Sequence, residues 1–306
     1  MSEGPEVKIT ADKTHNALSD KRTIHEVLHN KIDKETKSKI IGSSVEYVKT
    51  FGKNIVVKFS SGVYLRNHMM MWGKWRIYDR EEYDSGSAKP PPRYVYRKNR
   101  DKNAGEIQIK QNNVTDVRHD TRVRLALITA DRVLIQFNGP ILQFSLDDPA
   151  YREPIKSLGP DGLSSDYDKD RVRSALKSKS KNTSMLIANA LLDQQIISGI
   201  GNKYKSEILF LNKMYPFKKV VSLSEYELDE LLLCIPKVLS EGYKNKGRTR
   251  TTTDKEKTLR DATHWVFRRS GKKCWTCGAK IVSEKKLTSR TTFWCPNCQP
   301  IGIQDC

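Results

Sequence analysis

Four of the six cysteines in this 306-residue chain fall in one short stretch. Cys274-Trp275-Thr276-Cys277 is followed, after seventeen residues, by Cys295-Pro296-Asn297-Cys298. Two C-x-x-C pairs at this separation have the spacing of a four-cysteine zinc ribbon, in which each tight turn offers two thiolates and two turns complete a tetrahedron. Protein would then fill all four positions, so one Zn2+ held here is structural and activates no water. The competing arrangement is a pair of disulfides, which a reducing interior disfavours. Between the pairs, Ile281-Val282 and Thr292-Phe293-Trp294 read as two short strands, a hairpin too small to fold without the metal. Arg290, near the tip, is either a solvated surface charge or an arginine aimed at a phosphate. Cys234, inside the apolar run Leu231–Ile235, reads as a buried helix residue, and Cys306 as incidental.

A second chemical feature lies mid-chain. Ser184 is a candidate N-cap for a helix carrying Met185, Leu186, Ile187, Ala190, Leu191 and Leu192. The pattern breaks at Ser198-Gly199-Ile200-Gly201-Asn202 and resumes as Lys203 to Phe210, which is helix, glycine turn, helix. A second helix starting at Asn202 would aim free N–H groups and its positive dipole end at an anion. Lys203 and Lys205 in its first turns oppose that dipole, a cost that an anionic ligand would offset. The plainer alternative is an ordinary helical hairpin.

The elements around these features divide the chain. From Gly42 to Phe144 the pattern has period two and β-branched residues, which predicts strands at 44–48, 54–59, 63–65, 75–78, 123–127 and 133–137 in an antiparallel sandwich or barrel. Residues 84–118, with Pro90-Pro91-Pro92, read as an exposed insertion. A helix is predicted from Ser224 to about Gly242, and the Lys/Arg/Thr-rich stretch 245–261 reads as a mobile linker. The expected class is mixed α and β, with domains at 1–150, 151–262 and 263–306. Fifty-five Lys and Arg against 36 Asp and Glu leave a formal charge of +19, which points to a polyanion and above all to nucleic acid. No apolar run approaches the ~20 residues that span a bilayer, and no signal core opens the chain. The expectation is an intracellular protein of cytoplasm, nucleoid or nucleus, neither secreted nor membrane-bound.

Together the residues resemble the Fpg/Nei family of DNA glycosylase/AP lyases over nearly the whole chain. Four landmarks stand in that family's order: Ser2-Glu3-Gly4-Pro5-Glu6, Gly52-Lys53, Gly199-Ile200-Gly201-Asn202, and the cysteine ribbon with Ser289-Arg290. Gly159-Pro160-Asp161 is similar to the family's interdomain segment. The resemblance implies an N-terminal β-sandwich, a helix–two-turns–helix domain and a zinc ribbon, with damaged DNA as the partner of a monomer. It also implies a chemistry in which a flipped nucleotide is attacked at C1′ by the chain's own N-terminal amine. The base leaves, and the resulting iminium drains electrons so that the 3′ phosphate departs. An α-amine, with pKa ~7.7–8.0, is partly neutral and nucleophilic near neutral pH.

The departure from the family is Ser2 itself, where proline is usual. A primary amine can lose a proton to give a neutral imine, a poorer electron sink than proline's obligate cation. Carried over by position, Ser2 is the nucleophile, Glu3 protonates the opening sugar and Glu6 supports it. Lys53 contacts the phosphate beside the lesion and aids proton transfer, while Asn202, with Lys203 beside it, and Arg290 hold the same phosphate region. Met70, Met71 and Trp72 resemble the void-filling triad that Nei-type enzymes place in one loop, which favours oxidised pyrimidines. Core packing is the other use of those methionines. The rival functions are a non-catalytic binder of abasic DNA and a zinc-ribbon nucleic-acid factor without lesion preference.

Overall fold

The computed structural model describes residues 2–19, 22–29, 31–97, 106–110, 114–252 and 262–302. In chain order the elements are α1 (Gly4–Leu18), β1 (Glu26–Leu28), α2 (Lys34–Ile40), β2 (Val45–Phe51), β3 (Asn54–Phe59), β4 (Tyr64–His68), β5 (Lys74–Asp79), α3 (Arg80–Asp84), β6 (Arg93–Arg97) and β7 (Glu106–Lys110). They continue with β8 (Val123–Ile128), β9 (Arg132–Phe137), β10 (Ile141–Ser145), α4 (Lys169–Ser180), α5 (Ile187–Ala190), α6 (Asn202–Leu211), α7 (Glu225–Lys244), β11 (Val282–Glu284) and β12 (Thr292–Trp294). Two compact units result, each assembled from separated segments. Met1–Ala11, Lys49–Val56 and Asp147–Cys306 make the first, and Asp12–Val48 with Val57–Leu146 the second.

The β-rich part holds two four-stranded sheets, ordered β1-β8-β9-β5 and β10-β4-β3-β2. The first is antiparallel throughout, and β8 slips register between Val123 and Leu125. Alternating Ala126, Ile128, Val133, Ile135 and Phe137 bury one face of β8 and β9 with Ala88 and Val117. The segment read as an exposed insertion is therefore partly core. β6 and β7 pair as a hairpin inside it, and Pro91 is buried. Arg122 explains this, because its guanidinium donates to Pro91 O (2.7 Å) and Pro92 O (3.3 Å) while pairing with Asp120. Proline's fixed φ frees no N–H here, so its carbonyls are the groups that tie the run down.

In the first unit α7 organises the helical core. Ser224 and Glu227 close a capping box, and Leu228, Leu231, Leu232, Ile235, Val238 and Leu239 form one buried stripe. Each such burial contributes about 1.5–3 kcal/mol. Pro236 lies inside the helix and has no N–H for Leu232 O. The Tyr167 hydroxyl donates to that carbonyl instead, at 3.2 Å, so the helix continues past the proline with no orphaned group.

The stretch from Ser184 differs from its prediction. Only Ile187–Ala190 is helical, and Leu186 stands at its N-cap without a side-chain bond. Ile187 N donates to Lys218 O, so a tertiary partner replaces the predicted cap. α6 begins at Asn202, as predicted, but its N-cap is Gly201. The reading of 245–261 as a mobile linker also changes. Thr249 N donates to Thr263 O, and Trp265 Nε1 donates to Thr249 O, so the part up to residue 252 is pinned. Residues 253–261 lie outside the described residues, as does Cys306. Among the described residues no helix is long and apolar enough to cross a membrane.

Candidate active site

The site grows from the N-terminal end of α6. Gly201 N, Lys203 N and Tyr204 N all donate to the Glu3 carboxylate, at 3.1, 2.9 and 3.1 Å. Glu3 is 1% exposed. It satisfies N–H groups that the first helical turn leaves without partners, and its charge complements the dipole. The anion expected at this helix end is thus supplied from within the chain. Gly201 is required for the approach: a Cβ there would sit 2.4 Å from the Glu3 carboxyl carbon. Ser2 is half-buried and precedes Glu3 directly, so the cap fixes the backbone next to it.

Glu6 closes the same turn from the other side. Its carboxylate accepts Glu3 N at 3.2 Å and the Tyr204 hydroxyl at 3.3 Å, and it pairs with the Lys203 ammonium. Lys203 also donates to Gly247 O at 2.8 Å and is buried. Its charge is therefore committed to Glu6. Burial beside Glu6 and Glu3 pushes the Tyr204 phenol far above its ordinary range, so it stays a neutral donor.

Lys53 sits on the turn between β2 and β3. Gly52 occupies the left-handed region with φ +55°, and a Cβ there would lie 2.8 Å from the Ser198 Cβ. The Gly52 N–H donates to Asp161 Oδ2 at 2.9 Å, while Asp161 Oδ1 accepts Leu163 N. Asp161 thereby anchors the lysine turn beside the Gly199 turn, where Gly4 N donates to Gly199 O at 2.8 Å. Burial raises the Asp161 carboxyl above its ordinary value, against the pull of those two N–H donors. Burial lowers the Lys53 ammonium, with Glu3 opposing and Arg290 reinforcing the shift. Lys53, Glu3 and Arg290 therefore share one electrostatic neighbourhood.

The ribbon approaches the first turn of α6. Asn202 Nδ2 donates to Thr291 O at 2.9 Å, and Asn202 Oδ1 accepts from Lys205 Nζ at 2.8 Å. Lys205 is fully buried and also donates to Thr292 Oγ1 at 2.8 Å. Arg290 is exposed, and its guanidinium has no hydrogen bond or ion pair among the described residues. β11 and β12 pair antiparallel, matching Val282 with Trp294 and Glu284 with Thr292. Phe210, Val266, Phe267, Ile281 and Phe293 pack around Cys274 and Cys295. Glu207 ties this cluster to α6 by accepting Trp265 N, Val266 N and Phe267 N at 2.8–2.9 Å. The four cysteine sulfurs lie within 4.8 Å of one another, with Cys274–Cys298 at 3.9 Å and Cys277–Cys295 at 3.4 Å. A tetrahedron with Zn–S bonds of ~2.3 Å has edges near ~3.8 Å, so the donor set fits such an ion.

The methionine loop belongs to the second unit. Met69 is core at 3% exposed, whereas Met70 and Met71 are 48% and 45% exposed. The turn is held by design of its backbone: Met70 has φ +53°, its N–H donates to His68 Nδ1 at 3.1 Å, and Gly73 N donates to Met69 O at 2.8 Å. Trp72 lines a cavity of about 340 Å³ with Lys74, Arg93, Arg122 and Phe137.

Sequence reasoning set Lys205 beside an anion, whereas it is buried and donates to neutral oxygens, and it assigned no role to the Asp161 side chain or to Glu207. The signal available for Lys205 and Glu207 was a charged residue on an otherwise apolar helix, at positions that α6 turns inward.

Comparison with known proteins bears on the domains and the fold. Residues 1–137 match the formamidopyrimidine-DNA glycosylase N-terminal domain, and residues 158–254 match the H2TH domain of the same glycosylase. Endonuclease 8 of Salmonella arizonae is 28% identical over 304 residues, covering 98% of this chain and 100% of the relative. Endonuclease 8 of Escherichia coli is likewise 28% identical over 304 residues with the same coverage. The fold matches that of Lactococcus lactis formamidopyrimidine-DNA glycosylase bound to DNA containing an abasic site, with a TM-score of 0.72, 22% identity, and coverage of 97% of this chain and 99% of that one. With both domains matched in order and full-length similarity to the endonuclease 8 proteins, the chain belongs to the Fpg/Nei family of base-excision-repair DNA glycosylases.

Proposed function

We propose that this protein is a bifunctional DNA glycosylase/AP lyase that removes oxidised pyrimidines and cleaves the resulting abasic site through its N-terminal amine. The observation that carries the reading is the tie between α6 and Glu3, the residue next to Ser2. Glu3 seals the helix end, Glu6 braces Glu3, and both hold the backbone next to Ser2.

In this reading the Ser2 nitrogen adds to C1′ of a flipped nucleotide and the base departs. Opening of the sugar leaves an iminium on C1′. A proton then leaves C2′, and the C3′–O bond breaks to release the 3′ phosphate. Ser2 gives a primary amine, so the imine must be kept protonated during elimination. Lys53, whose ammonium is lowered by burial, is the group suited to exchange that proton. Arg290 and Asn202 hold the flanking phosphate, and Lys203 acts through Glu6. The exposed Met70 and Met71, with Trp72, fill the space that the flipped nucleotide vacates. Zn2+ in the four-cysteine site is structural, and supplies the folding free energy of the ribbon.

The test is borohydride trapping with abasic-site DNA, followed by mass spectrometry of the adduct. A covalent adduct on Ser2, with Met1 removed, is the expected result. Tight abasic-site binding with no adduct would replace the enzyme by a non-catalytic binder of damaged DNA, the reading that loss of proline would favour.

A further inference from the structure

We infer that Lys205 is a positioning residue that locks the ribbon onto α6 and so sets Asn202 and Arg290 as one phosphate grip. In its protonated form a lysine can only donate. The Thr292 hydroxyl, 2.8 Å away, must therefore accept from Lys205 and send its own proton onward. Thr288 Oγ1 lies 2.9 Å from Thr292 Oγ1, and the Thr288 hydroxyl donates to Arg290 O at 2.6 Å. The result is a directed chain from a buried ammonium to the main-chain carbonyl of Arg290. The second branch is equally directed. Because Lys205 donates to Asn202 Oδ1, the amide must turn its Nδ2 outward, where it meets Thr291 O at 2.9 Å. Both branches end on adjacent carbonyls of one short loop, those of Arg290 and Thr291.

Lys205 is completely buried, yet both of its hydrogen bonds among the described residues go to neutral oxygens. A buried cation without a directly bonded carboxylate is costly to keep. A methionine or leucine would fill the same space in α6 without that cost, so packing alone does not account for the lysine. What the ammonium adds is orientation at two places at once, and the exposed guanidinium of Arg290 then projects from a fixed backbone.

This inference rests on the proposed phosphate contacts of Asn202 and Arg290, and the experiment separates the two. Zinc-loaded full-length protein would be compared as parent, Lys205→Met, Lys205→Arg, Thr292→Val, Arg290→Ala and the Lys205→Met/Arg290→Ala double variant. The readouts are zinc content, melting temperature, Kd for duplex DNA with a tetrahydrofuran abasic analogue, and the bound-state cleavage rate on abasic DNA. Lys205→Met should weaken binding about tenfold, the scale of one lost charge-assisted hydrogen bond. Its bound-state rate should stay within about threefold, and Lys205→Arg should restore most of the affinity. Thr292→Val, which keeps the lysine and the β-branched shape, should repeat the loss and covers the case in which Lys205→Met does not fold. The double variant should lose less affinity than the sum of the two single losses, because Lys205 acts in part through that arginine. Parental affinity in folded Lys205→Met or Thr292→Val, or additive losses in the double variant, overturns the inference. Parental affinity in Arg290→Ala overturns instead the phosphate contact beneath it.

Discussion

Replacing Glu3 by glutamine should destabilise the protein before any DNA is present. Three backbone N–H groups converge on the two carboxylate oxygens, two of them on Oε2 and one on Oε1. Glutamine keeps one carbonyl oxygen, so at best two of those bonds survive, and its NH2 then faces a backbone donor. One buried N–H left unsatisfied costs about 1–3 kcal/mol. Loss of the negative charge at the start of α6 costs about 0.3–1 kcal/mol more, with a ceiling near ~2 kcal/mol for a buried site. Relief of the desolvation of a buried carboxylate offsets part of this, and the net expectation is about 2 kcal/mol. For a domain of 150–250 residues that lowers the melting temperature by about 4–8 °C. The assay is differential scanning calorimetry of zinc-loaded, DNA-free protein, with Glu3→Asp as the control that keeps the charge and shortens the reach. Glu3→Asp should fall between parent and Glu3→Gln. A Glu3→Gln melting temperature within about 1 °C of the parent would refute the argument that Glu3 is a helix cap, and would leave it a purely chemical residue.

Three further outcomes follow from the same geometry. Gly52→Ala forces a side chain into φ +55° and to within 2.8 Å of the Ser198 Cβ, a strain of about 1–3 kcal/mol that should raise KM on abasic DNA; an unchanged KM refutes the role of the turn in placing Lys53. For protein loaded with Zn2+, chelation should loosen β11 and β12, free Thr291 O from Asn202, and expose the chain near Arg290 to trypsin; unchanged proteolysis and DNA affinity after metal loss would refute the structural role. Stability should also rise with pH above neutrality. Burial lowers the Lys205 ammonium to about 7, with Glu3 opposing and Arg290 reinforcing that shift. The unfolded chain keeps the same proton up to about 10.4, so between the two values it binds more protons and the folded state gains as pH rises. The melting temperature should therefore climb from pH 7 to pH 9, and less so in Lys205→Met; equal slopes refute the assignment to Lys205.

The parts of this fold that announce themselves in sequence are those whose information is local. β3 and β12 follow from β-branched runs, and α7 from a serine cap followed by a 3–4 residue apolar period. The four cysteines announce a cluster by spacing alone. α1 was not legible, because Val7, Ala11 and Leu18 make a thin apolar stripe among charged neighbours. The helix expected after Ser184 shrank because Lys218 O and Pro216 O capture its first N–H groups from outside the segment. The site shows the same division. Its landmarks are short motifs, but the bonds joining them connect Glu3 to α6 across about 200 positions, and Lys205 to Thr292 across 87. No periodicity carries such pairings. They become visible only when a charged side chain is found buried, and its partners identified.

The segmental make-up of the two units sets an order of events during synthesis. Everything the second unit needs has been made once residue 146 leaves the ribosome, whereas the first unit joins residues 2–11 and 49–56 to a partner loop at residue 290. At ~5–20 residues per second that interval is roughly seven to thirty seconds. Glu3 has no helix end to cap until α6 is made, and Asn202 has no Thr291 carbonyl to meet until the ribbon loop follows. A chain that stops short of the ribbon therefore lacks the Asn202–Thr291 and Lys205–Thr292 bonds, however well its sheets have formed. The earliest residues of the first unit thus wait for partners made about 200 positions later before their bonds can close.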